Sequence, residues 1–386
     1  MLLDRTVRFL ASLRLTVVCL AFAIVLVFAG TMAQVDQGIY AVQANYFRSL
    51  FVRWPVPHTG WSIPVLPGGY LVGGVLLVNL LFAHFKRFGL RWNKTGLLMI
   101  HFGLILLLLG QLATDLLQRE STMLLAKGQT KNYSEDMRLN ELAITDTTDA
   151  KNDQVVAIPE KMLANGGEIR HPALPFTVKV INYWPNCRLF TNAVPGSVPV
   201  TATQGVGAAL HVLTEPPATG MDDRSLPGAV VELIGPRGPL GTWLVSAMLG
   251  ARQPFVFDNH NYTIALRPAR YEQPFSLTLL EPRHDVYAGT DIPKNFSSRV
   301  RLRRPDTGED REVVIRMNNP LRYGGLTFYQ YQMAAESPEH TSTLQVVRNP
   351  GWLTPYLSCA LIFVGLLVQF LIHLIGFVKR RKPSEA

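Results

Sequence analysis

The stretch from Thr95 to Leu117, TGLLMIHFGLILLLLGQLATDLL, decides what kind of protein this is. It is almost wholly apolar, and a helix of about 20 such residues crosses a hydrocarbon core about 30 Å thick. Outward from it, three more apolar runs of similar length occupy residues 15–33, 69–85 and 353–378. The sequence therefore predicts an α-helical membrane bundle with four transmembrane helices.

The long segment between the third and fourth runs, residues 118–350, has a different composition. It holds 24 Lys+Arg and 24 Asp+Glu, and its short apolar runs are separated by clusters of Pro, Gly, Asn and Asp. Alternation with a period of two between turn signals is typical of β-strands. SSRVRLRR and REVVIRM predict one hairpin and FVFDNHNYTIAL another, whereas residues 140–172 and 191–207 are expected to be loops. We predict one large all-β, sandwich-like domain inserted between helices three and four.

Basic residues orient the predicted helices. Of the 13 Lys and Arg residues outside the β-rich segment, eleven precede the first apolar run, lie between the second and third runs, or follow the fourth. Cytoplasmic loops of membrane proteins carry such an excess of basic residues. Both termini are then cytoplasmic at the inner membrane, and the β-rich domain is periplasmic. The domains are residues 1–117 with an outer loop at 34–68, the β-rich segment, and residues 351–386 with a basic tail. The first run also fits a signal peptide, although its length favours a retained helix.

The charge and the cysteines exclude several classes of protein. The net charge of +9 comes from basic residues beside apolar runs, which argues against nucleic-acid binding. Only Cys187 of the three cysteines lies in the β-rich segment, so that segment contains no internal disulfide. No C-x-x-C is present, which excludes a thioredoxin-like role, and without C-x-x-C-H the chain is not itself a c-type cytochrome. No local motif predicts a stand-alone catalytic site.

Three histidines lie in or beside the apolar runs, where ionisable residues are costly and tend to be functional. His101 is seven residues past Lys94 and His373 six residues before Lys379, so both are expected about 10 Å into the cytoplasmic half of the membrane. Two imidazoles at one depth on different helices are suited to binding a haem iron from opposite faces. The alternative is a hydrogen bond between helices or to the interface, which is the interpretation preferred for His84, near Lys86.

Four motifs in order, on this topology, resemble the ResB/CcsB family of cytochrome c biogenesis proteins over essentially the whole chain. They are SLRLTV leading to Gly30-Thr31 and Gln34, HFGLILLLLG at 101–110, DVYAGTDIPKNFSSRVRL at 285–302, and MNNPLRYGGLTFYQYQM at 317–333. Within the last motif, the candidates for family-specific packing or partner contact are Asn319, Pro320, Leu321, Gly325, Phe328, Tyr329 and Gln330.

The resemblance implies a function in haem delivery. It implies a complex with a tryptophan-rich CcsA-type membrane protein, in which haem b is taken from the cytoplasmic side and joined outside to the C-x-x-C-H thiols of apocytochrome c. The resemblance is to the unfused form of the system, in which this chain and its partner are separate polypeptides. It implies that the chain is a required subunit of a haem-attaching complex, and that haem is transported rather than permanently held. The six tryptophans here are scattered, so the tryptophan-rich site belongs to the partner. His101 matches the family's intramembrane histidine, with His373 as the second candidate ligand.

Three other functions remain open from the sequence. The first is a membrane-anchored scaffold or interaction protein whose β-rich domain binds an envelope partner without haem. The second is a cytochrome b-like electron carrier, which would favour histidine pairs near both faces of the membrane. The third is a transporter, for which four helices with few internal polar residues form a poor pathway.

Overall fold

The computed structural model describes residues 2–57, 59–87, 92–150, 152–218, 223–289, 293–334 and 340–381. The chain divides into two compact units. The first contains residues 1–119 and 349–386, and the second contains residues 120–218 and 222–348.

The first unit is helical. Three helices of the described chain are long and apolar enough to cross a membrane, and a fourth apolar helix at Gly69–His84 is shorter. The α-helices of the described residues are α1 (Leu2–Leu10), α2 (Leu13–Gln37), α3 (Ile39–Val42), α4 (Gly69–Arg87), α5 (Thr95–Leu117), α6 (Glu160–Ala164) and α7 (Thr354–Arg381).

A buried asparagine holds the break between α1 and α2. Asn79 on α4 is 1% exposed, and its amide nitrogen donates to the carbonyl oxygens of Leu10 and Ser12 at 2.6 and 3.1 Å. Its oxygen accepts from the Thr16 hydroxyl at 2.6 Å. Ser12 caps α2 by accepting from the backbone N–H of Leu15, which satisfies a donor that the helix leaves unpaired. The amide nitrogen and the amide oxygen of Asn79 are therefore both hydrogen-bonded inside the apolar bundle.

The second unit is β-rich, as predicted, and the chain contains these strands: β1 (Phe51–Pro55), β2 (Ser62–Pro67), β3 (Arg119–Ala126), β4 (Thr130–Asp146), β5 (Gln154–Pro159), β6 (Gly167–Ile169), β7 (Thr177–Trp184), β8 (Cys187–Phe190), β9 (Val198–Pro199), β10 (His211–Thr214), β11 (Gly228–Gly235), β12 (Gly238–Ser246), β13 (Gln253–Phe257), β14 (His260–Val286), β15 (Pro293–Arg304), β16 (Glu309–Arg316), β17 (Leu321–Tyr323), β18 (Leu326–Ala334) and β19 (Thr341–Arg348). β1 and β2 form a separate hairpin in the first unit.

The main sheet has the order β16-β15-β14-β4-β3-β19-β18-β17, with β13 and β5 paired to β14 and β4. The sheet curls until its two ends meet, as the contacts of β18 with β15 and β16 show. The Ser298 hydroxyl lies 2.7 Å from both the Gln330 side-chain oxygen and the Ser342 hydroxyl, which ties the closure together. This half of the unit is a nearly closed barrel-like sheet rather than the predicted sandwich. Its interior contains Met123, Leu279, Val300, Phe328 and their neighbours.

The other half of the unit does pack sheet on sheet. A four-stranded sheet of order β12-β11-β7-β6 covers β4, β5 and β14 through a core that includes Leu142, Val231 and Ile264. A three-stranded sheet of order β8-β10-β9 covers its opposite face. Cys187 lies in that second core at 1% exposure, and burial raises the pKa of its thiol. A buried thiol of this kind is a packing residue rather than a reactive one.

Charged side chains lie where the two halves meet. The pairing of β14 with β4 shifts between Pro268 and Arg270, opposite the segment Glu135–Asn140. Arg267 pairs with Glu141 and Arg270 with Glu135, both at 3.0 Å, and both arginines are mostly buried. Burial lowers the pKa of Arg267, and a guanidinium stays protonated in such a site. The two ion pairs thus flank the extra β4 residues 136–139, within which Asp136 accepts from the backbone N–H groups of Arg138 and Leu139 and from the Tyr271 hydroxyl.

Both predicted hairpins are confirmed. β15 and β16 pair from Ser297 with Arg316 to Arg304 with Glu309, and β13 pairs with β14 across Asp258 and Asn259, which both have positive φ. The loop prediction for residues 140–172 is wrong. That segment contains the end of β4, all of β5, α6 and β6. QVVAIP forms a strand because Ile158 packs in a core assembled from distant strands, which the local polar sequence does not reveal.

Candidate functional site

Glycines set the packing of α5 against α7. A Cβ placed on Gly96 would lie 2.5 Å from the Gln369 backbone nitrogen, and one on Gly110 would lie 2.3 Å from a Thr354 methyl group. Between them, a Cβ on Gly103 would lie 2.6 Å from the Ile362 side chain. Small residues at seven-residue spacing let two helix backbones approach closely. The heptad spacing of these glycines is visible in the sequence, although sequence analysis did not use it.

This register separates two of the candidate histidines. The two helices are antiparallel, because seven residues forward along α5 correspond to about seven backward along α7. Gly103 packs against Ser358 and Ile362, so His101, two residues earlier on α5, is level with about residue 362 of α7. His373 then lies about eleven residues, or roughly 16 Å, further along α7. The prediction that the two imidazoles lie at one depth is therefore wrong. It failed because α7 continues to Arg381, well past the first residue of α5, so the basic residues that end the two helices do not mark one level.

Gln369 connects the two helices between these histidines. Its side-chain oxygen accepts from the Leu97 backbone N–H at 3.1 Å, so its amide nitrogen is the donor to His373 Nε2 at 3.2 Å. His101 Nδ1 lies 2.9 Å from the Leu97 carbonyl oxygen, to which it donates. A neutral imidazole that donates from Nδ1 carries its lone pair on Nε2, the atom that binds a metal. The tautomer suits His101 to a ligand role. His373 Nε2 accepts from the Gln369 amide.

His84 lies on α4, which packs against α5, the helix that carries His101. Both side chains are half-buried, whereas His373 is exposed. The histidine predicted to be the weaker candidate thus lies on a helix that packs against the helix of His101. Across the described residues, no cluster of three or more His, Cys, Asp or Glu has the arrangement of a metal site.

The motif at residues 317–333 divides into core and surface residues. Asn319 makes an isolated bridge to Arg316, Pro320 follows it, and Leu321 begins β17 at 6% exposure. Gly325 has a φ of 76° in the turn to β18, a conformation that favours glycine. Phe328 is fully buried.

The two residues after Phe328 differ from it. Tyr329 is 39% exposed, and Gln330 accepts from the Ser298 hydroxyl and donates to that of Ser342 at 3.0 Å. The motif therefore builds the wall of the barrel-like sheet and closes it. Among these candidates, the tyrosine offers a large exposed side chain for partner contact.

Leucine at Gly103 is expected to force α5 and α7 apart and destabilise the helical unit. Its Cβ would lie 3.0 Å from the Ser358 carbonyl oxygen as well as against Ile362, and backbone at that distance cannot yield cheaply. Overpacking of this kind costs about 1–3 kcal/mol. Thermal unfolding of the full chain in detergent measures the loss of stability. Gly376→Leu on α7, where a Cβ meets no atom within 4 Å, is the matched control. Equal stability of the two variants would contradict this helix register.

Comparison with known proteins gives two matches. The profile described as the ResB-like family matches residues 247–341, which run from the end of β12 to the start of β19. Protein NrfI of Wolinella succinogenes is 34% identical over 114 residues, which is 30% of this chain and 12% of that protein. The chain thus spans a small part of the length of the curated relative that it matches.

Proposed function

We propose, from the match of the ResB-like family profile to residues 247–341, that this chain is a ResB-type protein and acts in cytochrome c biogenesis as a subunit of a membrane cytochrome c synthase complex. In this proposal the complex takes haem from the cytoplasmic side and attaches it outside to apocytochrome c. The helical unit crosses the membrane four times with both termini inside. The β-rich unit is periplasmic, and a tryptophan-rich CcsA-type protein is the partner.

The family match carries the proposal, and the helical unit supports it. Three helices have the length and apolarity of spans, and α4, at 19 residues, lies near the lower limit for a span. His101, which donates from Nδ1, is the proposed iron ligand from this chain, and His84 on the adjacent helix α4 is the second candidate. His373 becomes the weaker candidate, because of its register and its bond to Gln369. Haem is the transported substrate, and covalent attachment belongs to the whole complex.

Deletion of the gene is expected to abolish covalent holocytochrome c while apocytochrome c is still made and exported. The physical reason is that haem would no longer reach the outer face in a form that the C-x-x-C-H thiols can capture. Haem staining of membrane and periplasmic proteins measures the product, and antibody against the apoprotein measures its export.

Two controls complete this test. The full chain supplied on a plasmid should restore holocytochrome c, which excludes an effect on neighbouring genes. Normal holocytochrome c in the deletion strain would instead favour the membrane-anchored scaffold, whose function involves no haem. Loss of apocytochrome c itself would move the defect upstream of haem delivery.

A further inference from the structure

A cleft in the helical unit has no role in the function proposed above. Its volume is about 760 Å³, within the range of about 300–1,000 Å³ that is usual for small-molecule sites. Residues of α2, α4 and α5 line it, together with residues of the segment from Ile39 to Arg48. All of its lining residues belong to the first unit.

One end of the cleft is polar. Arg48 Nε lies 2.6 Å from an oxygen of Asp115, and the Tyr70 hydroxyl donates to the other oxygen of that carboxylate. Asp115 is 16% exposed and Arg48 is 51% exposed, so the carboxylate is the more enclosed member of the pair. A guanidinium has five N–H donors, and Nε is the one used here. Gln34 and Gln111 line the same end.

The other end of the cleft is apolar, and glycine residues leave it open. Gly73 and Gly74 line the cleft, and a Cβ added to either would meet no atom within 4 Å. Leu77 and Leu108 lie beyond them. Leu77 is seven residues past Tyr70 on α4, which corresponds to about 10 Å along the helix axis. Polarity therefore falls along the cleft in the direction of the helix axes.

We propose that this cleft binds one membrane phospholipid, with its phosphate on Arg48 and an acyl chain along Gly73 and Gly74. The gradient from guanidinium, phenol and amides to glycines and leucines matches the order of headgroup and chain in a lipid. Arginine binds phosphate through two parallel N–H bonds, and Asp115 fixes the guanidinium from behind.

The lining residues favour a phospholipid over haem. Among the described residues, the cleft is lined by one cation, Arg48, and one acid, Asp115, whereas haem carries two propionates. No His, Cys or Met, the common axial ligands of haem iron, is among the described lining residues. The phospholipid proposal therefore stands independently of the function proposed above, and loss of one does not entail loss of the other.

The test measures phosphatidylglycerol retained by the purified full chain in a neutral detergent, by native mass spectrometry after addition of the lipid and washing. Wild type should retain about one molecule per chain. Gly74→Leu fills the apolar end and Arg48→Gln removes the phosphate contact, so each should lower retention at least about tenfold. Leucine is also the better helix former, which keeps the fold of α4 intact.

Matched controls separate binding from folding. Gly376→Leu adds the same side chain on α7 where space is open, and Arg53→Gln removes an exposed charge on β1 that does not line the cleft. Both should retain the lipid as wild type does. The double variant Arg48→Gln with Asp115→Asn leaves no unpaired charge, so a purely structural ion pair would be rescued in it, whereas phosphate binding would not.

Three results would overturn the proposal. The first is equal retention in Gly74→Leu, Arg48→Gln and wild type. The second is recovery of retention in the double variant. The third is retention of haem instead of phospholipid, detected by the Soret band of haem and lowered by the same substitutions.

Discussion

His101→Ala is expected to lower the haem retained by the chain and its partner at least about tenfold, and to reduce holocytochrome c in proportion. The substitution removes the Nε2 lone pair that the proposal assigns to iron. Loss even of a group that only orients a metal ligand costs about 10–100-fold in metal affinity, so loss of a ligand should cost no less. The Soret absorbance per complex and the haem-stained cytochrome c measure the two effects.

His373→Ala is the matched control, because it removes the same side chain from another helix of the same unit. Its Nε2 is bonded to Gln369 and its backbone lies about 16 Å from the level of His101, so haem retention should stay within about twofold of wild type. The effect of His84→Ala should fall between the two, since His84 lies on the helix that packs against that of His101. None of the three substitutions should alter co-purification of the two proteins.

The outcomes separate the candidate pairs. Equal loss in His101→Ala and His373→Ala, with His84→Ala unaffected, would support the pair predicted from the sequence over the pair of His101 with His84. Loss in His101→Ala and His84→Ala alone would assign both imidazoles to one site. An unchanged Soret band in His101→Ala would remove the intramembrane haem ligand from the proposal.

The sequence predicted the apolar helices well because their signal is local. Length and the absence of charge are properties of each run by itself, and the positions of α2, α5 and α7 follow from them. The relative depth of His101 and His373 is not local. It depends on how Gly96, Gly103 and Gly110 fit against α7, and counting from flanking lysines contains no information about that fit.

The β-rich unit shows the same division. Hairpins such as β15 and β16 were predicted because turn chemistry and alternation lie side by side in the chain. The curl of the main sheet was not, because it depends on contacts of β18 with β15 and β16 and on polar bonds between Ser298, Gln330 and Ser342. Likewise, only the fold shows that Arg48, Tyr70 and Asp115 converge from three segments.

Phe328→Ala is expected to destabilise the β-rich unit by about 3–5 kcal/mol, the usual cost of truncating a fully buried aromatic residue. Its ring is 0% exposed and lies 6.1 Å from that of Phe275, edge to face, inside the barrel-like sheet. In a unit of this size, such a loss corresponds to a fall on the order of 10 °C in melting temperature. Thermal unfolding of the full chain in detergent measures it, and holocytochrome c should fall with the amount of folded protein.

Tyr329→Ala is the control that gives the first result its meaning. The residue is next in the same strand, but 39% of it is exposed, so the stability loss should stay below about 1 kcal/mol. If the motif serves only to close the sheet, Tyr329→Ala should mature cytochrome c as wild type does. If its exposed face binds the partner or apocytochrome c, holocytochrome c should fall at unchanged melting temperature. A large stability loss in Tyr329→Ala, or none in Phe328→Ala, would contradict the assignment of core and surface faces to β18.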